Sequence, residues 1–448
     1  MRKIARTSIV AGAVVAVGSG QLALLSDCSN GSGSHETGAS SQDGSMSMSP
    51  DGTAGHAPDG AGPSSEGSAQ TGDAGASGDG GCGVGTLPST SLAVSFADMI
   101  LATWPDPRSL SGTTAAFEYN AGIVLHGIEE VFLRTGDPRY LAYIKQYVDH
   151  FVDDAGVVDI PDAHSFDNLQ PAILLPFLWQ QTGLTKYQLG AQTIRNRFPS
   201  IPRNPDQGFW HKETYPNQMW LDGIYMGEPF LSRFLAVFDG GDDFCPFTVV
   251  QQTTLLAAHV QDDAGLLYHA WDDTKMAAWA NPVTGVSPVV WGRGDGWFAM
   301  SLVDTLGDLP TGYPGYAAML SILQSMAAGL KATQDPATGL WYEVLDEGSR
   351  SDDWNETSCS GMFVYALKTG VDRGYLDSSY MSVVNLGWQG LKTQVKGTAA
   401  SPIINNAVAG LGVQTTYAAY VGAARESNSS QGLCAILLAG SVMESTCP

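Results

Sequence analysis

From Leu92 onward, apolar residues recur at spacings of three and four, the period of a helix with one buried face. Val124, Ile128, Val131 and Phe132 show it, as do Leu141, Ile144, Val148 and Phe151. The pattern predicts helices at 94–105, 116–135, 138–153, 167–181, 184–198, 218–238, 246–262, 293–307, 315–333, 355–368, 376–393 and 429–443. No segment alternates over enough residues to be a major strand, although short hairpins fit within the long loops.

A weak repeat pairs these helices. Thr135-Gly136-Asp137 ends the second with Tyr140 soon after, Thr182-Gly183 ends the fourth before Tyr187, and Thr369-Gly370 ends the tenth before Tyr375. Glycine there suits a left-handed C-cap from which an antiparallel partner starts. Twelve helices in six hairpins predict an all-α fold, an (α/α)6 barrel. An open solenoid has similar pairs. The ring is favoured because the repeat is weak and the loops rich in unusual residues fall at one kind of junction.

The N-terminus reads differently. Arg2, Lys3 and Arg6 precede an apolar run from Ile9 to Leu25, a pattern of export, with 1–27 as the signal. Gly18, Ser19 and Gly20 weaken that run as a spanning anchor. Cys28 follows, after Asp27, so lipid attachment there, with a membrane tether, and simple secretion both stay open. Residues 28–91 are rich in Ser, Gly and Asp and have too few large apolar side chains to offset ordering entropy, which predicts a disordered tether. The helical domain is then 92–448. Cys82, Cys245, Cys359, Cys434 and Cys447 show no CxxC spacing, so a zinc site is not expected. Cys434 with Cys447 is one candidate disulfide, buried free thiols the alternative. A net charge of −23 argues against nucleic acid. It does not argue against an anionic sugar, which needs only local cations.

The chemistry gathers at the starts of alternate helices. Phe117, Glu118, Tyr119 and Asn120 open the second, and His164 with Asp167-Asn168 the fourth. His211 and Trp220-Leu221-Asp222-Gly223 open the sixth. His269 precedes Trp291-Gly292-Arg293-Gly294-Asp295-Gly296-Trp297 at the eighth, and Trp354 precedes Glu356-Thr357-Ser358 at the tenth. In a ring of hairpins the inner helices run parallel, so these groups share one mouth. Tryptophans stack on sugar faces, carboxylates serve as acid or base, and Arg and His hold a carboxylate, which together suit a uronic acid.

Duller readings stand beside each. Asp167 and Asp222 suit helix N-termini electrostatically. Trp220 and Trp297 are ordinary core residues in many proteins, and His269 a structural hydrogen bonder. The glycine-rich run at 291–297 lacks the Lys-Ser/Thr ending of a phosphate loop. Asp272-Asp273 and Asp352-Asp353 read as solvated loop acids.

Three segments carry a family resemblance over about residues 92–448: Trp220-Leu221-Asp222-Gly223-Ile224-Tyr225-Met226-Gly227, the run 291–297, and Glu356-Thr357-Ser358. In these the chain resembles the unsaturated rhamnogalacturonyl hydrolases, glycoside hydrolase family 105, and more distantly the unsaturated glucuronyl hydrolases. Asn is common in the family where this chain has Asp295, which adds a charge near the expected pocket. The resemblance implies an (α/α)6 barrel with no metal or organic cofactor. It implies hydration of the C4–C5 double bond of a non-reducing-end 4,5-unsaturated galacturonic acid on pectin-derived oligosaccharides. By position, Asp222 is implied as general acid/base, with Asp167, His211, Met226, His269, Arg293 and Trp297 lining the sugar site beside Trp220.

Such an acid must be protonated when it acts. A helix N-terminus lowers its pKa, while desolvation and a neighbouring carboxylate raise it, and sequence leaves that balance open. Two rival functions remain in view: a conventional glycosidase using Asp167 and Asp222 on an ordinary glycoside, and a non-catalytic oligosaccharide binder.

Overall fold

The computed structural model describes residues 85–446 apart from 113–114, 163, 239–240 and 242. The export signal at 1–27, Cys28, Cys82, Cys447 and the tether as far as residue 84 lie outside the described residues.

Each expected helix is present. In chain order they are α1 (Leu92–Thr103), α2 (Tyr119–Thr135), α3 (Pro138–Phe151), α4 (Phe166–Leu169), α5 (Leu174–Thr182), α6 (Thr185–Arg195), α7 (Leu221–Phe238), α8 (Phe244–Val260), α9 (Gly292–Asp308), α10 (Tyr316–Thr333), α11 (Thr357–Asp372), α12 (Met381–Gln394), α13 (Tyr417–Val421) and α14 (Ser430–Met443). The fourth expected helix is divided: α4 and α5 are joined by a 3-10 turn over Gln170–Ile173, where Pro171 supplies no N–H for an α-helical bond. The unexpected α13 lies in the long segment between α12 and α14.

Packing follows a closed circuit. α2 meets the α4–α5 segment, which meets α7; α7 meets α9, α9 meets α11, α11 meets α14, and α14 returns to α2. Closure makes this an (α/α)6 barrel and excludes the open solenoid. Outside it, α3, α6, α8, α10 and α12 each pack on the inner helix they follow, and α1 packs on α14. The sixth hairpin is thus formed by the first and last helices.

Gly136 (φ 65°) and Gly183 (φ 67°) are the left-handed caps expected. The third member of the repeat is different. Gly370 lies inside α11 against Leu376, and Gly374 takes the positive φ (73°). The tether boundary also moves. Residues 86 and 446 exchange two backbone hydrogen bonds of 3.0 Å, Leu87 is buried, and Ser91 caps α1 through Val94 N. Residues 85–91 therefore belong to the folded part.

Short antiparallel pairs decorate the junctions: β1 (Gln218–Trp220) with β2 (Ala270–Asp272), β3 (Trp341–Tyr342) with β4 (Asn355–Glu356), β5 (Val395–Thr398) with β6 (Ser401–Ile404), and β7 (Ala407–Val408) with β8 (Arg425–Glu426). β1 occupies what the sequence suggested as the first turn of the sixth helix. Asp272, expected to be solvated, is 1% exposed because its carboxylate accepts from the backbone of Thr274, Met276 and Ala277.

Deeper in the barrel, charged groups tie the inner helices together. Arg233 on α7 donates to Glu129 on α2 at 2.7 Å, Arg134 pairs with Glu130, and Tyr365 donates to Asp304 at 2.8 Å. Burial raises Glu129 to about 8 and Asp304 to about 7. Cys245, Cys359 and Cys434 are buried free thiols.

Candidate active site

The mouth is built on the β1–β2 pair. Register sets Trp220 opposite Ala270, and Leu221 N bonds His269 O at 3.0 Å. The residues flanking that pairing, Asp222 and His269, are thereby brought side to side. Asp222 Oδ2 lies 3.0 Å from His269 Nε2, and His269 Nδ1 lies 2.7 Å from Tyr420 Oη. Tyr420 Oη in turn accepts from Gln414 N at 3.2 Å.

These contacts assign the protons. Nε2 faces a carboxylate, so it carries the hydrogen and donates; Nδ1 then accepts from Tyr420 O–H. Burial, the largest influence, raises the Tyr420 pKa, which keeps that hydroxyl protonated. A directional chain runs from Gln414 N–H through Tyr420 and His269 to Asp222. The Asp222 side chain retains 14% exposure, an opening toward the mouth. Burial, its largest single influence, pushes the Asp222 carboxyl up. The His269 hydrogen bond and the nearby His269, His211 and Arg293 outweigh it, and the net position is below the ordinary value.

A second acid lies nearby. Asp167 at the start of α4 has Lys212 Nζ at 2.5 Å and His211 Nε2 at 3.5 Å. Burial, the dominant effect, lowers the His211 pKa. Trp220 stacks on His211 at 4.5 Å and on Tyr215 at 4.6 Å, and meets His269 edge-on at 5.8 Å. The indole is thus held in place by protein rings.

Three further expectations are corrected. Arg293 does not present a free fork: Nη1 donates to Val408 O at 2.5 Å and Nη2 to Ala409 O at 2.8 Å, while its guanidinium lies over Trp291. It clamps the 408–409 backbone. Met226 and Trp297, at 2% and 1% exposure, follow Asp222 and Arg293 by one helical turn and belong to the barrel core. Trp297 stacks on Tyr225 at 4.9 Å. Asp295 adds no charge to the mouth. Fully buried, it accepts from Leu267 N, and burial holds it well above the usual carboxylate range.

The remaining motif acids are structural. Glu356 caps α11 through Ser358 N and Cys359 N and holds Val408 N at 2.9 Å; Glu118 caps α2 through Asn120 N. His164 pairs with Glu213 at the rim. The sequence reading omitted Tyr420 and Lys212. Adjacency to His211 was a signal for Lys212, whereas nothing local distinguishes Tyr420, which reaches the site from 151 residues beyond His269.

Beside the mouth lies a cleft of about 360 Å³ lined by Trp104, Tyr119, Asn120, Glu426, Asn428 and Gln431, among others; among the described residues no Lys or Arg lines it. Tyr119 links it to the acids, since the charges of Asp167, Arg293 and Asp222 all act on its hydroxyl.

Residues 93–447 match glycosyl hydrolase family 88. The chain belongs to that family. It is 33% identical to the solved structure of a glycoside hydrolase from family 105 of C. acetobutylicum ATCC 824, with a TM-score of 0.72, covering 78% of this chain and 98% of that one. It is 25% identical over 264 residues to the unsaturated rhamnogalacturonyl hydrolase YesR of Bacillus subtilis, covering 56% of this chain and 70% of the relative. Against Protein Atu3128 of Agrobacterium fabrum it is 39% identical over 127 residues, 28% of this chain, and there it spans about half the relative's length (54%). The unsaturated glucuronyl hydrolase of Bacillus sp. GL1 shares the fold, with a TM-score of 0.57 at 14% identity and coverage of 78% and 94%.

Proposed function

We propose that this glycoside hydrolase hydrates the C4–C5 double bond of a 4,5-unsaturated galacturonic acid at the non-reducing end of pectin-derived oligosaccharides, with Asp222 as acid and base. The carrying observation is the Asp222–His269–Tyr420 chain, which places a carboxyl group at the mouth with one oxygen held and an exposed edge free to meet a sugar.

The substrate double bond is an enol ether bearing a carboxylate. Protonation at C4 leaves an oxocarbenium-like centre at C5, which water attacks while giving its proton to a base. The resulting hemiketal opens and sheds the rest of the saccharide. Free Asp222 is ionised. A bound substrate carboxylate and the exclusion of water both favour its protonated form, so proton uptake accompanies binding. After proton delivery, the His269 N–H stabilises the regenerated carboxylate, which then serves as base toward water. Lys212, beside Asp167 and partly exposed, is the cation we assign to the substrate carboxylate in place of Arg293.

The neutral amides and hydroxyls of the adjoining cleft, with Glu426, support a neutral sugar as the next residue, because a second uronate there would meet a carboxylate and no cation. The basic start and apolar run at the N-terminus support export.

The test is loss of ultraviolet absorbance, since hydration destroys the conjugated chromophore and ordinary glycoside cleavage does not. Unsaturated galacturonate linked to a neutral deoxyhexose should be consumed at least tenfold faster, by kcat/KM, than the same unit linked to galacturonate. Asp222→Asn should lower turnover about 10²- to 10⁴-fold in a protein that keeps its circular dichroism. Near-normal turnover in that variant would refute the role of Asp222, and release of sugar without loss of absorbance would favour a conventional two-carboxylate glycosidase.

A further inference from the structure

Behind the mouth, a small cavity of about 10 Å³ is lined by both His211 and Glu228, with Phe166, Met219 and Trp220 among its walls. That volume is roughly what one water needs. Glu228 is on α7, six residues past Asp222, and 1% exposed. Helical side chains lean toward the helix N-terminus, so its carboxyl leans over the turn at Ile224, which also lines the cavity together with Gly223. Gly223 is open on that side for a reason: a Cβ there would lie 3.2 Å from His211 Nδ1.

Two buried polar atoms facing this region have no partner within the described protein, His211 Nδ1 and Glu228 Oε2. The other polar lining group, Gln252, is already engaged with Phe209 N and Gln207 O. Each orphan would cost about 1–3 kcal/mol if left unsatisfied, and together they offer a bridging water partners at both ends.

Their chemistry is complementary in one arrangement. A neutral imidazole has one donor and one acceptor nitrogen. With Nε2 facing the Asp167 carboxylate at 3.5 Å, the hydrogen belongs on Nε2 and Nδ1 needs a donor. The bridging water supplies that donor, and a protonated Glu228 holds it by donating to the water's oxygen. Burial pushes the Glu228 carboxyl well above the usual carboxylate range, against the opposing charge of Arg203, and so favours its protonated form.

We infer that Glu228 holds one water in this cavity, that the water donates to His211 Nδ1, and that this fixes His211 as the Nε2–H tautomer that faces Asp167. Glu228 is then a positioning residue: it touches no sugar and acts through His211 on the second carboxylate of the mouth. The consequence for catalysis rests on the function proposed above; the tautomer does not.

The experiment uses the whole protein labelled with ¹⁵N-histidine, with the His211 signals identified by their loss in His211→Gln. The wild type should show a protonated Nε2 and a bare Nδ1. Glu228→Leu, which fills the space without a donor, should move His211 toward the Nδ1–H form and lower kcat/KM at least tenfold on the unsaturated disaccharide. Glu228→Gln, whose amide can donate, should rescue both to within about threefold. A wild-type His211 protonated on Nδ1 would overturn the inference even if the Leu variant failed to fold. So would an unchanged tautomer in a folded Leu variant, or a Gln variant as impaired as Leu. A protein inert toward every unsaturated saccharide but showing the tautomer shift would overturn the proposed function and uphold the role of Glu228.

Discussion

Tyr420 Oη lies 2.7 Å from His269 Nδ1, joining a short helix near the end of the chain to the imidazole that holds Asp222. This bond supports the tautomer that the Asp222 carboxylate already selects, with the hydrogen on Nε2 and Nδ1 accepting. In Tyr420→Phe, Nδ1 loses its donor, and the imidazole that donates to Asp222 is held less firmly in place and tautomer. One such hydrogen bond is worth about 1 kcal/mol, so kcat should fall roughly five- to tenfold with little change in KM. Steady-state kinetics on an unsaturated disaccharide check this; a wild-type kcat would remove Tyr420 from the catalytic chain.

Arg293→Lys should act through structure rather than through substrate charge. Lys offers one ammonium where Arg bridges two successive carbonyls. Losing these charge-assisted bonds costs about 1.5–3 kcal/mol. The thermal midpoint should drop, and kcat should drop with it because the 408–426 segment carries Tyr420. A raised KM with unchanged stability would restore Arg293 as the anchor of the substrate carboxylate.

The buried acids set a slope of stability against pH. Glu129, at about 8 when folded, has an ordinary value of 4.5, and Asp304, at about 7, one of 3.8. Between those limits the folded state holds more protons than the unfolded state, so these two groups make stability fall as pH rises. Glu129→Gln removes one contribution. Melting curves from pH 5 to pH 8 should show a decline in the wild type and a shallower one in the variant. A variant slope equal to or steeper than wild type would contradict the raised value.

Truncation tests the N-terminal boundary. A chain starting at Leu92 lacks the Ser91 cap, the buried Leu87 and the 86–446 pairing. The cap alone is worth about 1 kcal/mol and the Leu burial roughly 1.5–3 kcal/mol. Scanning calorimetry should find it several degrees less stable than a chain starting at Gly85. Equal midpoints would return residues 85–91 to the tether.

Sequence revealed the architecture through periodicity, because each helix must bury one face wherever it ends up. Asp222, Asp167, His211 and His269 stand out in the sequence because they sit at helix starts or beside one, and the ring brings Asp222 to His269 and Asp167 to His211. It misread Arg293 and Trp297 for a common reason: residue type and position show that a group is near the mouth, but not which neighbour takes its hydrogen bonds or whether it lies one turn deeper. It missed β1 since three residues are too few for alternation to register. It missed Tyr420 because a partner 151 residues away leaves no local trace.

The pairing of α1 with α14 gives this barrel no privileged beginning. Residues 86 and 446 already exchange hydrogen bonds, so a short peptide could join the two ends and new ends could be opened at the exposed turn 310–312 between α9 and α10. Such a permuted chain keeps every inner neighbour and changes only which wall is synthesised last. In the natural order that wall is α14, seated between α2 and α11, so during synthesis the ring stays open until its final helix has left the ribosome.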